Sequence, residues 1–139
     1  MSWQNWSEQG YGFQLFNGKN DRQVLDFIRS NSKCKITDID AEDLLSGDAS
    51  YMDICDNSAS VIIAGIINSR EKYSVFVGYI ECGNTGQEEM IGVCPGYPWL
   101  MNRRDKELTL EKADSILKKY ADILGITEEP EFFDAYYAG

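Results

Sequence analysis

The sequence contains no histidine among its 139 residues. Histidine is the commonest general base near neutral pH, and neither a Cys-His nor a Ser-His pair can form without it. Paired carboxylates remain as an acid–base device, and Glu81, Glu88 and Glu89 are the candidates for a glycosidase-like role. We therefore predict a protein that is not an enzyme, with a histidine-independent hydrolase as the less favoured alternative.

The sequence also lacks the motifs that bind nucleotides or metal ions. No glycine-rich turn is followed by the Lys-Ser or Lys-Thr of a phosphate-binding loop, and no dinucleotide fingerprint follows a strand. The run Asp38-x-Asp40-x-Glu42 begins like a calcium-binding loop. However, Asp43 stands where the sixth-position glycine belongs, and Ala49 stands where the bidentate glutamate belongs. We predict no cofactor and no dedicated metal site.

Cysteine is scarce and widely spaced. The four cysteines are Cys34, Cys55, Cys82 and Cys94, and no two of them form the Cys-x-x-Cys pair of a zinc or redox site. Their spacing is also unlike the closely spaced cysteines that form the disulfide bonds of a small secreted domain. We predict free thiols in a reducing compartment, and a Cys82 to Cys94 bridge across a hairpin is the alternative that the spacing leaves open.

Long apolar runs are absent too. The longest, residues 61–67, is far shorter than the roughly 20 residues that a bilayer requires. The opening residues, Met1-Ser2-Trp3-Gln4-Asn5-Trp6, are polar and aromatic rather than basic and then apolar as in a secretory leader. We therefore predict a cytoplasmic protein.

Basic residues are absent between Lys35 and Arg70, and this gap is the most informative feature of the chain. It contributes seven acids to a formal net charge of −10. A field of one sign attracts a basic partner, raises its association rate and repels nucleic acid. The alternative to partner binding is that the acids form only a solvated face that keeps the protein soluble. We predict that a basic protein surface binds the seven acids, which are Asp38, Asp40, Glu42, Asp43, Asp48, Asp53 and Asp56.

The pattern of apolar residues and turns predicts one domain, residues 1–139, of the α+β class. A small antiparallel sheet of three to four strands would be covered by a C-terminal amphipathic helix and by shorter helices. Strands are predicted at 11–15, 59–68, 73–80 and 89–93, with 59–68 and 73–80 forming a hairpin. Helices are predicted at 20–29, at 39–45 and between the N-cap Thr109 and Gly125, with one or two helical turns after Thr127.

Aromatic residues are the other candidates for binding. Trp3, Trp6 and Trp99 are candidate aromatic anchors for a partner, because aromatic side chains are enriched at interface hot spots. Packing in the core is the commoner role of such side chains. Tyr73, Tyr79 or Trp99 would instead line the pocket of a small-molecule-binding protein that takes a nucleotide signal or a sugar. That function is the alternative to partner binding.

Several short segments together resemble small uncharacterised acidic proteins of gut Gram-positive bacteria and of their phages and mobile elements. The segments are Met1-Ser2-Trp3-Gln4-Asn5-Trp6, Gly10-Tyr11-Gly12, Tyr97-Pro98-Trp99 and Leu124-Gly125-Ile126. The resemblance carries no catalytic residue. It implies an inhibitor of a nucleic-acid-binding host defence enzyme, of the anti-CRISPR or anti-restriction type, that acts by steric and electrostatic occlusion without binding nucleic acid itself.

Overall fold

The computed structural model describes residues 7–83, 86–93 and 108–136. Within these ranges the chain forms five helices and one four-stranded antiparallel sheet, so the prediction of an α+β fold is confirmed. The elements in chain order are β1 (Ser7–Gln14), α1 (Asp21–Asn31), α2 (Asp38–Ser46), α3 (Tyr51–Cys55), α4 (Ala59–Glu71), β2 (Val77–Gly83), β3 (Gly86–Val93), α5 (Leu110–Ile123) and β4 (Glu131–Tyr136).

The four strands lie in the order β2-β3-β1-β4, and every neighbouring pair is antiparallel. β1 is therefore central, with Tyr11 opposite Val93 on one side and opposite Phe132 on the other. β2 and β3 form a hairpin that closes where Gly83 pairs with Gly86. The sheet thus places the first and last described strands of the chain side by side.

The hydrophobic core joins the sheet to helices α1, α4 and α5. Phe13 and Ile91 come from the sheet, and Ile28, Ile63 and Leu117 come from the three helices. All five side chains are almost fully buried. Burying one such side chain contributes about 1.5–3 kcal/mol, so this cluster supplies much of the free energy of folding.

A glycine lets α4 approach the sheet closely. A Cβ atom at Gly78 in β2 would lie 2.5 Å from the carbonyl carbon of Ser60 in the first turn of α4. Real Cβ atoms do not come so near to backbone, so only glycine fits at this position. The first turn of α4 is therefore held against the sheet, beside the start of β2.

The helices predicted from caps and periodicity are found near their predicted positions. α2 begins after Thr37, whose Oγ1 accepts a hydrogen bond from the Asp40 N–H, and ends at Gly47 with a φ of 87°. α5 begins after Thr109, and Gly125 follows it with a φ of 72°. These are the residue types that stabilise helix ends, because they satisfy the unpaired backbone groups there.

The run predicted as a strand at 59–68 is wrong, because these residues form helix α4 and no hairpin with 73–80. Val61 and Gly65 are exposed, whereas the buried residues recur at helical spacing. The sequence conceals that period because the run is almost wholly apolar, and its β-branched residues favour a strand. Packing against α1 and the sheet overrides this propensity for the buried residues, which are Ala59, Ser60, Ile63, Ala64, Ile66 and Ile67.

Other boundaries also differ from the predictions. The acidic tail, predicted as helical turns, forms β4 and pairs with β1. The Tyr11 and Phe132 rings lie 4.8 Å apart across this pair, an arrangement of aromatic residues that stabilises strands. The stretch 46–58, in which no helix or strand is predicted, contains α3, and the strand predicted from residue 73 begins only at Val77.

Candidate functional site

A disulfide between Cys34 and Cys55 closes the acidic part of the chain into a covalent loop. The two Cα atoms lie 5.6 Å apart. The prediction of free thiols is therefore wrong for these two residues, because the fold brings the end of α3 next to the residues that follow α1. We call residues 34–55 the acidic segment, since it holds six of the seven acids and a single basic residue, Lys35. The seventh, Asp56, follows it directly.

Two of the seven acids build the local structure of the acidic segment. The Asp40 carboxylate accepts from the Thr37 N–H at 3.2 Å, and Thr37 accepts in return at the start of α2. Asp53 and Ser50 form the same reciprocal arrangement at the start of α3. Both are capping boxes, in which a carboxylate satisfies one unpaired N–H and favours the positive end of the helix.

Of the remaining five acids, four are exposed and Asp43 is half-buried. The Asp38 side chain is 96% exposed and pairs with Arg29 at 3.2 Å, an exposed contact that contributes less than about 1 kcal/mol. Asp48 accepts a hydrogen bond from the Ser46 hydroxyl at 3.1 Å. Within the described part of the chain, the Asp38 pair is the one ion pair formed by the seven acids. The side chains of three acids form no hydrogen bond or ion pair there, namely Glu42, Asp43 and Asp56.

Two apolar side chains are exposed among these carboxylates. Ile39 in α2 is 72% exposed, and Met52 in α3 is 55% exposed. Neither was singled out from the sequence, where exposure cannot be read from residue type alone. The anchors that were predicted, Trp3, Trp6 and Trp99, lie outside the described residues. The acidic segment therefore offers both charge and some apolar contact area to a partner.

A cavity of about 580 Å³ lies beside the acidic segment. Its apolar lining includes Phe16, Leu44, Leu45 and Met52. Its lining also includes the first residue of α1 and the first residue of α4, so four helices and β3 contribute to its wall. This volume is within the range of about 300–1,000 Å³ that is usual for small-molecule pockets.

Three polar side chains project from different elements into the lining of this cavity: Asp21 from α1, Tyr51 from α3 and Glu89 from β3. One Glu89 carboxylate oxygen accepts from the Ser60 N–H at 3.0 Å and so caps α4, whose own N-cap residue makes no side-chain cap. Burial raises the pKa of Tyr51 above its usual value, and the nearby carboxylates of Asp21 and Glu89 raise it further. The lining thus has a negative field.

The described structure places the residues predicted for catalysis and for a pocket only in part. Glu81 and Glu88 are register partners across the β2–β3 hairpin, whereas Glu89 pairs with Ile80 and caps α4. Tyr73 does not line the cavity, and its ring lies 6.4 Å from that of Phe76. The side chains of Tyr79 and Trp99 lie outside the described part of the chain. Tyr51 takes the place that the prediction gave to these tyrosines.

Among the described residues, no group of three or more cysteines, aspartates or glutamates is arranged to hold a metal ion. The calcium-like run 38–42 lies inside helix α2 rather than in a loop that could wrap an ion. In the same part of the chain, every helix is too short or too polar to cross a bilayer. Cytoplasmic location stays a prediction.

Comparison with known proteins finds no matching family model, no matching curated protein and no matching solved structure. The resemblance to acidic proteins of mobile elements therefore stays a hypothesis. A function has to be argued from the acidic segment and the cavity beside it.

Proposed function

We propose that this protein is a non-enzymatic binding protein whose acidic segment docks on a basic protein surface. The observation that carries the proposal is the concentration of six acids within one disulfide-closed segment that has a single basic residue. Opposite charges on the two partners would speed their encounter and fix their orientation. The exposed Ile39 and Met52 would add the apolar contact that charge complementarity alone does not supply.

The partner that fits this chemistry best is an enzyme with a basic nucleic-acid channel. Duplex DNA presents about one negative charge per 1.7 Å of its axis, and clustered carboxylates imitate that density. A protein docked in such a channel excludes the nucleic acid both sterically and electrostatically. The proposed class is an inhibitor of a host defence enzyme, of the anti-CRISPR or anti-restriction type.

The test is inhibition of duplex binding by a panel of purified CRISPR effectors and restriction endonucleases. The test variant is Glu42→Gln/Asp43→Asn/Asp56→Asn, which removes three charges and leaves the N-caps of α2 and α3 and the Asp38 ion pair in place. Asp56 is the left-handed C-cap of α3, and asparagine also tolerates that conformation. The control variant, Glu111→Gln/Asp122→Asn/Glu128→Gln, removes three exposed charges outside the acidic segment.

We expect the test variant to inhibit about tenfold less well than the control, because three rim charges at about 0.5 kcal/mol each approach one decade of affinity. Inhibition should also weaken as salt rises. Equal inhibition by the two variants would show that electrostatic occlusion is wrong. If the protein inhibits none of the enzymes in the panel, the result counts against the proposed partner class.

A second candidate function is small-molecule binding, which the cavity beside Tyr51 favours. The volume suits a metabolite, but Asp21 and Glu89 in the lining disfavour an anionic nucleotide. A neutral sugar or a cation remains compatible. A thermal-shift screen with nucleotides, sugars and amines tests this function, and a rise in Tm with one class identifies the ligand.

A further inference from the structure

The cavity beside Tyr51 has an unbalanced charge. Asp21 and Glu89 line it, and none of the described lining residues is basic. Asp26 in α1 adds to the negative field at the Tyr51 hydroxyl. A bound cation would therefore find anionic partners in the lining and no basic competitor among the described lining residues.

The start of α4 opposes this effect but does not cancel it. Ser58 and Ala59 at that helix end line the cavity, and a helix N-terminus is equivalent to about half a positive charge. The Glu89 carboxylate already accepts from the Ser60 N–H there. The first residues of α1 and α3 also line the cavity, so three helix ends contribute about half a positive charge each at most, which still leaves the two carboxylates in excess. The same carboxylate has capacity for further hydrogen bonds, since an ionised carboxylate accepts about four.

The rest of the lining suits an organic cation better than a bare metal ion. The Phe16 and Tyr51 rings lie 6.5 Å apart at the cavity, and aromatic faces attract ammonium and guanidinium groups. Leu44, Leu45 and Met52 provide apolar surface for an alkyl stem. The Tyr51 hydroxyl makes no hydrogen bond to any described residue, so it is available to a ligand.

We propose that this cavity binds a guanidinium or ammonium group carried on an apolar stem, with Asp21 and Glu89 as the anionic partners and Tyr51 and Phe16 as the aromatic wall. The group has two sources, the side chain of an arginine or lysine on a basic protein and a free amine. This inference deepens the proposed function. It rests on that function where the cation is the side chain of a basic protein. It uses carboxylates outside the seven acids, so the two can be tested separately.

The experiment is calorimetric titration of the full chain, with its disulfide intact, against Nα-acetyl-arginine amide. The matched neutral probe is Nα-acetyl-citrulline amide, which keeps the shape of the side chain and removes its charge. A short arginine-rich peptide is the third probe. Binding of the arginine amide at least about tenfold tighter than the citrulline amide is expected, because a charge-assisted hydrogen bond contributes more than a neutral one.

The informative variants are Asp21→Asn and Glu89→Gln. Glutamine at 89 retains an oxygen that can accept from the Ser60 N–H, so α4 stays capped while the charge is lost. Each variant is expected to weaken arginine-amide binding about tenfold and to leave Tm nearly unchanged. The triple variant of the acidic segment should bind the arginine amide as the unmodified protein does.

The outcomes separate the hypotheses. A peptide that binds more than tenfold tighter than the amide, and loses that gain in the triple variant, supports a protein source and the acidic segment together. Equal binding of peptide and amide supports a free amine and counts against the proposed function alone. Equal binding of the arginine and citrulline amides, no binding of either at millimolar concentration, or indifference to both single variants would overturn the cavity proposal.

Discussion

Asn20 donates a hydrogen bond from its side-chain amide to the Leu124 carbonyl oxygen at 2.9 Å, across a sequence separation of 104 residues. The same amide donates to the Leu15 carbonyl at 2.8 Å, and its oxygen accepts from the Asn17 N–H. Asn20 is only 1% exposed. One side chain thus joins the end of β1, the start of α1 and the end of α5.

Replacing Asn20 should destabilise the fold more than any exposed asparagine. Asn20→Ala leaves the Leu15 and Leu124 carbonyls without their donor in a buried place, and such losses cost about 1–3 kcal/mol each. We expect the free energy of unfolding in urea to fall by about 2–4 kcal/mol. The exposed Asn57→Ala is the control and should lie within about 0.5 kcal/mol of the unmodified protein. Similar losses for the two variants would contradict this role.

Reducing the Cys34–Cys55 disulfide should lower stability. It closes a loop with a sequence separation of 21, for which the chain-entropy account gives about 3 kcal/mol. Cys34→Ser/Cys55→Ser should have a lower Tm, and adding reductant should no longer change that Tm. Intact-mass measurement after alkylation without reductant checks the bond itself. Labelling of both Cys34 and Cys55 in the native protein would contradict the disulfide.

Stability should fall in acid through the Tyr11–Asp114 pair. The Tyr11 hydroxyl donates to the Asp114 carboxylate at 2.6 Å, which lowers the pKa of Asp114, with help from Lys118, and raises the pKa of Tyr11 to about 12. A lowered carboxyl pKa contributes stability that is present above the unfolded value and is lost as pH falls through the folded value. A raised tyrosine pKa contributes stability that is present below about pH 10 and is lost as pH rises toward 12.

The variant Tyr11→Phe tests both the acid and the alkaline part of this pH dependence. It keeps the ring that contacts Phe132 and removes the hydroxyl. At neutral pH we expect a loss of about 1–2 kcal/mol, because the hydrogen bond goes to a charged but partly exposed acceptor. Below about pH 4 and above about pH 10 the difference from the unmodified protein should shrink. If urea melts give the same difference in the free energy of unfolding at all of these pH values, the result contradicts a link between the Tyr11–Asp114 hydrogen bond and pH-dependent stability.

Gly65 distinguishes the helix α4 from the strand that the sequence predicts, and Gly47, the C-cap of α2, is the comparison. Gly65 is exposed in α4, and a Cβ atom there would have nothing within 4 Å. Gly65→Ala should therefore raise the free energy of unfolding by about 0.5–1 kcal/mol, the helix propensity difference between the residues. Gly47 also has open space but a φ of 87°, so Gly47→Ala should destabilise by about 1 kcal/mol. If urea melts show that Gly65→Ala does not stabilise the protein, the result contradicts the helical conformation of α4.

Much of the fold follows from local signals. Thr37 and Thr109 precede helices α2 and α5 because their hydroxyls accept from backbone N–H groups one turn later. Residues 61–67 and 131–136 carry no such decisive signal. An apolar run fits both periods, and an acidic aromatic tail forms a strand only because β1 has an open side for it.

The sequence by itself determined the acidity of residues 36–69, the N-cap Thr109 of α5 and the glycine that follows this helix, and the absence of histidine, because these are properties of neighbouring residues or of composition. Only the tertiary structure decided which cysteines pair, since four cysteines allow three pairings. It also decided the cavity, whose Phe16, Tyr51 and Glu89 are separated by dozens of residues. Contacts between distant segments depend on how helices and strands pack, and no local pattern encodes them.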